Sequence, residues 1–152
     1  MIVKASNSDK VIQIDEKDKD ICEYNWRISS NGYVRTTIDG ERWFLHRCLL
    51  RPEKGKEVDH INGNPLDNRR SNLRICSRRE NVINSKPQKN KIYSKFKGVT
   101  FSKTEKRRKR WVAACELNGK RVTIGRFYTE EEAKLAYNKK AKELFGVFAR
   151  LN

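Results

Sequence analysis

The stretch VDHINGNPLDNRRSNLRICSRREN, residues 58–81, decides the fold of the first half of this chain. Its opening residues lead into a loop that is rich in turn residues, and the run LRIC at 73–76 follows that loop. This pattern predicts a β-hairpin whose two arms are joined by the loop. Ser77 and Glu80 then form a capping box, which predicts a helix that begins there and carries Asn81 in its first turns.

The predicted order of strand, loop, strand and helix would bring Asp59 and Asn81 together, although they are 22 positions apart. A carboxylate and an amide oxygen are hard ligands, and they suit magnesium, which keeps several waters and also accepts phosphate oxygens. His60 would project from the other face of the strand, where a neutral imidazole can act as a general base on a water beside the same phosphate. Asn72 is placed to hydrogen-bond the second ring nitrogen and fix the tautomer.

The same stretch also allows a purely structural interpretation. Asp59 and His60 would then pair on a strand while the asparagines make turns. We assign the pairs at 62–63 (Asn-Gly) and 64–65 (Asn-Pro) to turns and give them no chemistry. The catalytic interpretation is favoured because it uses the acidic, imidazole and amide groups together.

Three further polar residues receive weaker assignments. His46, the chain's other histidine, precedes the apolar run RCLL, so a packed or hydrogen-bonded role is favoured there over a catalytic one. Asn68 and Asn84 are interpreted as polar residues of the loop and the helix. Either of these two asparagines could touch a phosphate.

The charge of the chain indicates its class of partner. A formal net charge of +16 over 152 residues favours a polyanion, because lysine and arginine displace counterions from nucleic-acid phosphates. The balance is −2 over residues 1–41, +7 over 42–90 and +11 over 91–152. A membrane partner is not expected, since we find no long apolar run and no lipidation signal. The N-terminal MIVKASNSDK shows no signal-peptide pattern, so the expected location is the cytoplasm of a bacterial or phage-infected cell.

The cysteines do not favour a zinc site. They stand at positions 22, 48, 76 and 115, far apart and without a C-x-x-C pair. Buried, reduced thiols of a cytosolic protein are expected instead.

The chain is predicted to be an α+β protein in three parts. Residues 1–85 combine short strands, joined by hairpin turns such as Asp39-Gly40, with the quoted stretch. Residues 86–95 are polar and lysine-rich without periodicity, which predicts a basic linker. Residues 96–152 predict a three-stranded antiparallel meander followed by one helix. With 36% apolar and 36% charged residues, two small modules are expected rather than one large core.

The C-terminal part carries clear local signals. Its meander is predicted to turn at Asn118-Gly119. Thr129 and Glu132 form a capping box and Gly146 suits the C′ position, so a helix is predicted between them. Small and apolar side chains fall on one face of this helix, at positions 133, 136, 137, 141, 144 and 145.

Residues 58–81, with the upstream runs WRISSNGYVRT and FLHRCLL, resemble the His-Asn-His (HNH) endonuclease family and its ββα-metal fold. The resemblance is closest to the homing-endonuclease branch of phages and mobile introns. It implies that Asp59 and Asn81 are metal ligands, that His60 is the general base and that Asn72 is its orienting partner. The third motif position is Asn81 rather than histidine, a variant that the homing branch uses. Oxygen ligands favour Mg²⁺ or Mn²⁺ over zinc.

Residues from about 95 to 152 resemble the plant ethylene-response-factor (Apetala-two) DNA-binding domain. The similarity rests on KGV, the tryptophan-bearing second strand, GKRVTIGRF, EEAKLAYNKKA and ARLN. Such a domain lays its sheet in the major groove of double-stranded DNA. The helix side of the sheet is then expected to hold Trp111, Ala113, Cys115, Leu117, Val122 and Ile124. The DNA side is expected to hold Val112, Ala114, Glu116, Arg121 and Thr123.

Individual DNA contacts follow from this geometry. Arg121 could reach guanine and Glu116 could accept from a cytosine amino group. The plant domains carry arginine or tryptophan at several positions where this chain has Thr100, Glu116 and Thr123. The resemblance therefore predicts the fold of this part better than it predicts the DNA sequence that the part would recognise. A basic run is expected in the first loop of the sheet, where it would grip phosphates or remain merely solvated: Lys106, Arg107, Arg108, Lys109 and Arg110.

The function predicted from the sequence is a metal-dependent, sequence-selective DNA endonuclease of the homing type. A single nuclease site predicts a nick in one strand, or a double-strand break through dimerisation or sequential cuts. A monomer or a DNA-induced dimer is therefore expected. The main alternative is a non-enzymatic, DNA-binding transcriptional regulator that uses the HNH fold as a scaffold, and an RNA-binding protein is a third possibility.

Overall fold

A computed structural model of the chain describes residues 1–86, 93–103 and 108–152. The chain separates into two compact units, Met1–Val82 and Ile83–Asn152. Both units combine helices with small antiparallel sheets, so the predicted α+β class is confirmed. Most of the segment predicted as a linker, residues 87–92, lies outside the described residues.

The first unit is built from short strands. These are β1 (Ile2–Lys4), β2 (Val11–Gln13), β3 (Arg27–Ile28), β4 (Val34–Ile38), β5 (Glu41–Phe44), β6 (Glu57–His60) and β7 (Leu73–Cys76). The helix α1 (Leu45–Leu50) follows β5, the helix α2 (Arg78–Asn84) begins in this unit, and 3₁₀ turns cover Glu16–Glu23 and Arg70–Asn72. β1 pairs with β2, β6 pairs with β7, and β3, β4 and β5 form one sheet in that order.

The quoted stretch folds as the sequence predicts. β6 and β7 form an antiparallel hairpin, and α2 follows directly. The backbone N–H of Ser77 donates to Glu80 Oε2 at 2.7 Å, and the backbone N–H of Glu80 donates to Ser77 Oγ at 3.3 Å. This reciprocal pair is the predicted capping box, and it explains why the chain leaves β7 and enters a helix at once.

Two hairpin turns show why their residues are needed. Asp39 and Gly40 have φ angles of 50° and 80° between β4 and β5, and Asn118 and Gly119 have 54° and 73° in the second unit. Two consecutive positive φ angles match the twist of the flanking strands, and asparagine, aspartate and glycine tolerate them best. Both turn predictions are confirmed.

The core of the first unit is small. Trp26 lies within it and donates its indole N–H to the carbonyl of Ile21 at 2.6 Å. The other buried apolar residues of this core are Ala5, Ile12, Ile14, Val34, Leu45, Leu49, Val58 and Leu73. Val58 and Leu73 belong to β6 and β7, so the hairpin of the site is attached directly to the core.

The second unit is a three-stranded sheet packed on a helix. Its elements are β8 (Val99–Phe101), β9 (Trp111–Leu117), β10 (Lys120–Phe127), α3 (Glu130–Phe145) and a 3₁₀ turn at Gly146–Phe148. β9 is the central strand. Thr129 caps α3 by accepting from the N–H of Glu132 at 3.1 Å. The buried residues of this core are Val99, Ala113, Cys115, Ala133, Tyr137 and Ala141.

Three expectations are corrected and one is confirmed here. Val122 pairs with Cys115 on the edge strand β10 but remains 37% exposed. Ile124 packs against the core as expected, within a register shift between Thr123 and Gly125. Cys22 is exposed and Cys48 only half-buried, so two of the four thiols are not the buried ones that we expected. Within the described ranges, no helix is long and apolar enough to cross a bilayer.

Candidate active site

The two faces of β6 carry different chemistry. Its register with β7 places Asp59 opposite Arg74 and His60 opposite Leu73. Because side chains alternate along a strand, Asp59 and Glu57 share one face while His60 projects from the other. Asp59 and His60 are both 5% exposed. Adjacent positions thus place a carboxylate and an imidazole on opposite sides of one buried strand.

The Asp59 face is a network of charged and amide groups. Arg74 donates to Asp59 Oδ2 from Nε at 2.8 Å and from Nη2 at 2.6 Å. Asn81, in the first turns of α2, donates from Nδ2 to Glu57 Oε2 at 2.6 Å. Arg78 donates to Glu57 Oε1 at 3.1 Å. The hydrogen bond from Asn81, together with Arg78, holds the pKa of Glu57 below its usual value.

The His60 face is a cluster of rings. The centroid of the His60 ring lies 5.2 Å from that of His46 and 6.0 Å from that of Tyr33. Burial lowers the pKa of His60 below 6.5, and the hydrogen bond that the ring makes to Asn68 and the charge of Asp59 only partly offset this effect. His60 is therefore a neutral imidazole at neutral pH.

The amide that contacts the His60 ring is that of Asn68. His60 Nε2 and Asn68 Oδ1 are 3.3 Å apart, and Asn68 Nδ2 donates to the carbonyl of Pro65 at 3.0 Å. The bond to Pro65 turns the amide oxygen toward the ring, and an amide oxygen only accepts. The proton of His60 therefore lies on Nε2. Sequence reasoning gave this contact to Asn72 and treated Asn68 as a loop residue.

Asn72 makes a different set of contacts. Its Oδ1 accepts from the backbone N–H of Asn62 at 3.0 Å. Its Nδ2 donates to Asn62 Oδ1 at 3.1 Å and to the carbonyl of Asp67 at 2.7 Å. Asn72 is thus hydrogen-bonded to the start of the loop at Asn62 and to its middle at Asp67, the residue before Asn68.

His46 is packed against His60. It is 7% exposed, and its ring also lies 5.3 Å from Tyr33 and 5.8 Å from Phe44 by centroid distance. Its Nδ1 is buried and has no hydrogen-bond partner among the residues that the structure describes. Burial, followed by the charges of His60 and Arg47, lowers the pKa of His46 to about 3. This agrees with the packed role that the sequence favoured.

The donor set on the Asp59 face suits a hard divalent cation. The groups there are the carboxylates of Glu57 and Asp59 and the amide of Asn81, and Asp59 already attracts a cationic group in Arg74. In the part of the chain that the structure describes, no three His, Cys, Asp or Glu side chains gather as a metal cage. A cation held by these few oxygen donors would keep several waters, which is how magnesium is usually held beside phosphates.

Comparison with known proteins gives the family. An uncharacterized HNH endonuclease of Acanthamoeba polyphaga mimivirus is 33% identical over 138 residues, which is 87% of this chain and 68% of that protein. The chain belongs to the HNH endonuclease family. The HNH endonuclease signature matches residues 51–83, a range that includes Asp59, His60, Asn72 and Asn81. Protein 3.8 of Escherichia phage T7 is 35% identical over 97 residues, 64% of this chain and 76% of that protein. No solved structure matches the chain significantly.

The second unit of this HNH family member carries the residues assigned to DNA contact. Glu116, Arg121 and Thr123 are exposed, and Glu116 pairs directly with Arg121 in the β9–β10 register. Val112 and Ala114 are buried, which removes them from the predicted DNA face. They are short side chains on the central strand, where Val112 pairs with Thr100 on one side and Arg126 on the other.

Part of the basic run also belongs to this HNH family member's exposed surface. Arg108, Lys109 and Arg110 are exposed, whereas Lys106 and Arg107 lie outside the described residues. Lys109 Nζ lies 5.0 Å from the ring centroid of Tyr128. An aromatic ring beneath a cation favours a defined position for its side chain.

Proposed function

We propose that this HNH family member is a metal-dependent, sequence-selective endonuclease of the homing type that nicks one strand of double-stranded DNA. The observation that supports the proposal is the arrangement of β6. Its Asp59 face presents oxygen donors, while its His60 face holds a neutral imidazole fixed by an amide. Phosphodiester hydrolysis needs both a centre of positive charge at the phosphate and a base for water.

The oxygen donors would form the metal site of a ββα-metal arrangement made by β6, β7 and α2. Asp59 and Asn81 would hold Mg²⁺ or Mn²⁺, and Glu57 stands beside both on the same face. A bound cation would supply positive charge that stabilises the phosphate and the leaving 3′ oxygen. Oxygen ligands without thiolate or imidazole favour these two metals over zinc.

His60 would act as the general base. With its proton on Nε2 and that N–H held by Asn68, the lone pair of the ring lies on Nδ1. Nδ1 would take a proton from water as the water oxygen forms a bond to phosphorus and the bond from phosphorus to the 3′ oxygen breaks. The lowered pKa of His60 keeps the ring neutral and ready to accept that proton.

The asparagines would position this base in two steps. Asn68 fixes the His60 tautomer, and Asn72 holds the loop on which Asn68 stands. We therefore keep Asn72 in the site as a positioning residue that acts through the loop. Groups of this kind change ligand or base geometry, and their loss typically lowers activity by about 10- to 100-fold.

The second unit would read the DNA as an Apetala-two-like domain. We propose residues 1–85 as the nuclease domain and 96–152 as the DNA-binding domain, joined by a basic linker. Glu116, Arg121 and Thr123 would meet base edges, and the run from Lys106 to Arg110 would grip phosphates. A single nuclease site favours action as a monomer or as a DNA-induced dimer.

A plasmid-nicking assay on the full chain tests the proposal. Supercoiled DNA should be nicked with Mg²⁺ or Mn²⁺ and remain intact with a chelator. His60→Ala should lower the rate by roughly 10²-fold or more, the usual scale for a general base. His46→Phe is the matched control, since it removes the other histidine but keeps a ring in the cluster, and it should nick within about tenfold of the wild type on the same scale.

Two results would contradict the proposal. Nicking by His60→Ala at the wild-type rate would remove His60 as the base. Binding of DNA without any metal-dependent nicking would favour the DNA-binding regulator over the nuclease.

A further inference from the structure

Arg74 lies at the site, but the reaction described above gives it no role. Its guanidinium makes two hydrogen bonds to the same oxygen of Asp59, and the two side chains are 14% and 6% exposed. They are cross-strand partners in the β6–β7 register. The arginine therefore covers the carboxylate that the nuclease would need for a divalent cation.

We propose that Arg74 is a catalytic residue that uses two partners in turn, Asp59 in the metal-free protein and the scissile phosphate of DNA when Asp59 is bound to a divalent cation. The inference rests on the proposed function. A cation bound to Asp59 would compete with the two N–H donors of Arg74, because the positive charges would repel one another at one small carboxylate. This repulsion would favour release of Arg74 from Oδ2.

A phosphate is the partner that the chemistry of Arg74 favours after this exchange. A guanidinium binds phosphate oxygens through two parallel N–H donors and stays charged at any pH of interest. Arg74 is anchored on β7 directly opposite Asp59, so a phosphate brought to Asp59 arrives within its reach. Its positive charge would oppose the negative charge that builds on the phosphate oxygens as water attacks. His60, on the other face, would still take the proton.

Neighbouring arginines hold other carboxylates. Arg78 pairs with Glu57 and its side chain is 83% exposed, and Arg70 pairs with Asp18. Arg78 lies on the same face of the site as Arg74 but contacts Glu57 instead of Asp59. It therefore provides a matched control for the loss of one positive charge near the same cation site.

The experiment compares Arg74→Leu and Arg78→Leu in the full chain. Calorimetric titration with Mn²⁺, without DNA, should show binding to Arg74→Leu at least roughly threefold tighter than to the wild type, because a competing cation is gone. Arg78→Leu should change the affinity less. Single-turnover nicking at saturating Mn²⁺ and DNA should fall by roughly 10²-fold in Arg74→Leu, the scale for loss of one charge-stabilising donor. Tighter metal binding with slower cleavage is a combination that a merely structural role does not produce.

Arg74→Lys keeps a positive charge, so it serves as a second test variant if Arg74→Leu does not fold. It should bind Mn²⁺ nearly as the wild type does and nick faster than Arg74→Leu. Unchanged or weaker Mn²⁺ binding by folded Arg74→Leu, or nicking at the wild-type rate, would overturn the inference. If Arg74→Leu does not fold, wild-type nicking by Arg74→Lys would overturn it and a clear loss would support it. A wild-type protein that neither binds Mn²⁺ nor nicks DNA would instead overturn the proposed function.

Discussion

The two units of this HNH family member treat polar side chains in opposite ways. Within the described residues, the first unit buries seven polar side chains: Thr36, His46, Asp59, His60, Asp67, Asn68 and Asn72. The second unit buries two, Asn84 and Ser94. Its candidate DNA contacts, Glu116, Arg121 and Thr123, all lie on the surface.

This difference fits the two functions that we propose for the units. Buried polar groups cost stability unless each one is hydrogen-bonded, so a small unit that buries so many gains something else from them. Fixed geometry around Asp59 and His60 is what hydrolysis requires. Exposed charge suits a surface that must meet a solvated polyanion, and it allows the second unit to keep an apolar core.

The largest expected effect follows from removing the charge of Asp59. Asp59→Asn keeps the shape and an acceptor for Arg74 but loses the anionic ligand. Metal-assisted stabilisation contributes several kcal/mol, so the single-turnover nicking rate should fall by roughly 10³-fold, and the protein should need more metal. Asp39→Asn, in an exposed hairpin turn, should nick normally. Activity of Asp59→Asn within tenfold of wild type would show that the buried carboxylate is only structural.

A smaller effect is expected on the His60 face. Asn68→Ala removes the amide that holds the ring, and the nicking rate should fall by about 10- to 100-fold with Mn²⁺ binding unchanged. Asn64→Ala is the control, because Asn64 Oδ1 accepts from the backbone N–H of Leu66 in the same loop and is not bonded to His60 in the described structure. Equal losses in the two variants would mean that loop stability, rather than the His60 contact, decides activity.

The surface of the second unit should affect selectivity instead of rate. Arg121→Ala should relax preference at one base pair by about 1–3 kcal/mol, measured as relative cleavage of a mixed DNA library. Lys120→Ala, at the neighbouring exposed position, should leave the site profile as it is. An identical profile for Arg121→Ala would remove Arg121 from base recognition.

The smallest effect concerns the pH dependence of stability. The pKa of His46 is about 3 when folded and about 6.5 when unfolded, so its contribution is present above pH 6.5 and is lost as the pH falls toward 3. In His46→Phe, the free energy of unfolding should therefore fall less steeply below pH 6.5 than in the wild type. The slopes of the two proteins should differ by about 1.4 kcal/mol per pH unit. Urea unfolding of both proteins at pH 7 and pH 5.5 measures this, and equal slopes would contradict the neutral, buried state of His46.

Much of the fold could be predicted because its signals are local. The Ser77–Glu80 and Thr129–Glu132 capping boxes and the Asp39-Gly40 turn each lie within four residues, and each has one compatible backbone geometry. The order of β6, β7 and α2 followed from such signals.

The partners within the site could not be predicted, because they depend on register and loop shape. Twelve residues separate β6 from β7, and no short sequence pattern predicts the register that places Arg74 opposite Asp59. The choice between Asn68 and Asn72 as the amide at His60 depends on how the loop folds back. Burial of Val112 depends in the same way on which residues of β8 and β10 pair with it, here Thr100 and Arg126.

The division between a catalytic first unit and a binding second unit is tested most directly by measuring binding and cleavage on the same two variants. His60→Ala should bind DNA, with a chelator present, as the wild type does, while its single-turnover rate falls by roughly 10²-fold or more. The triple variant Arg108→Gln, Lys109→Gln and Arg110→Gln should bind more weakly and with a smaller salt dependence, yet nick at the wild-type rate once DNA is saturated. If each variant loses binding and cleavage in equal proportion, the division of labour proposed for the two units is contradicted.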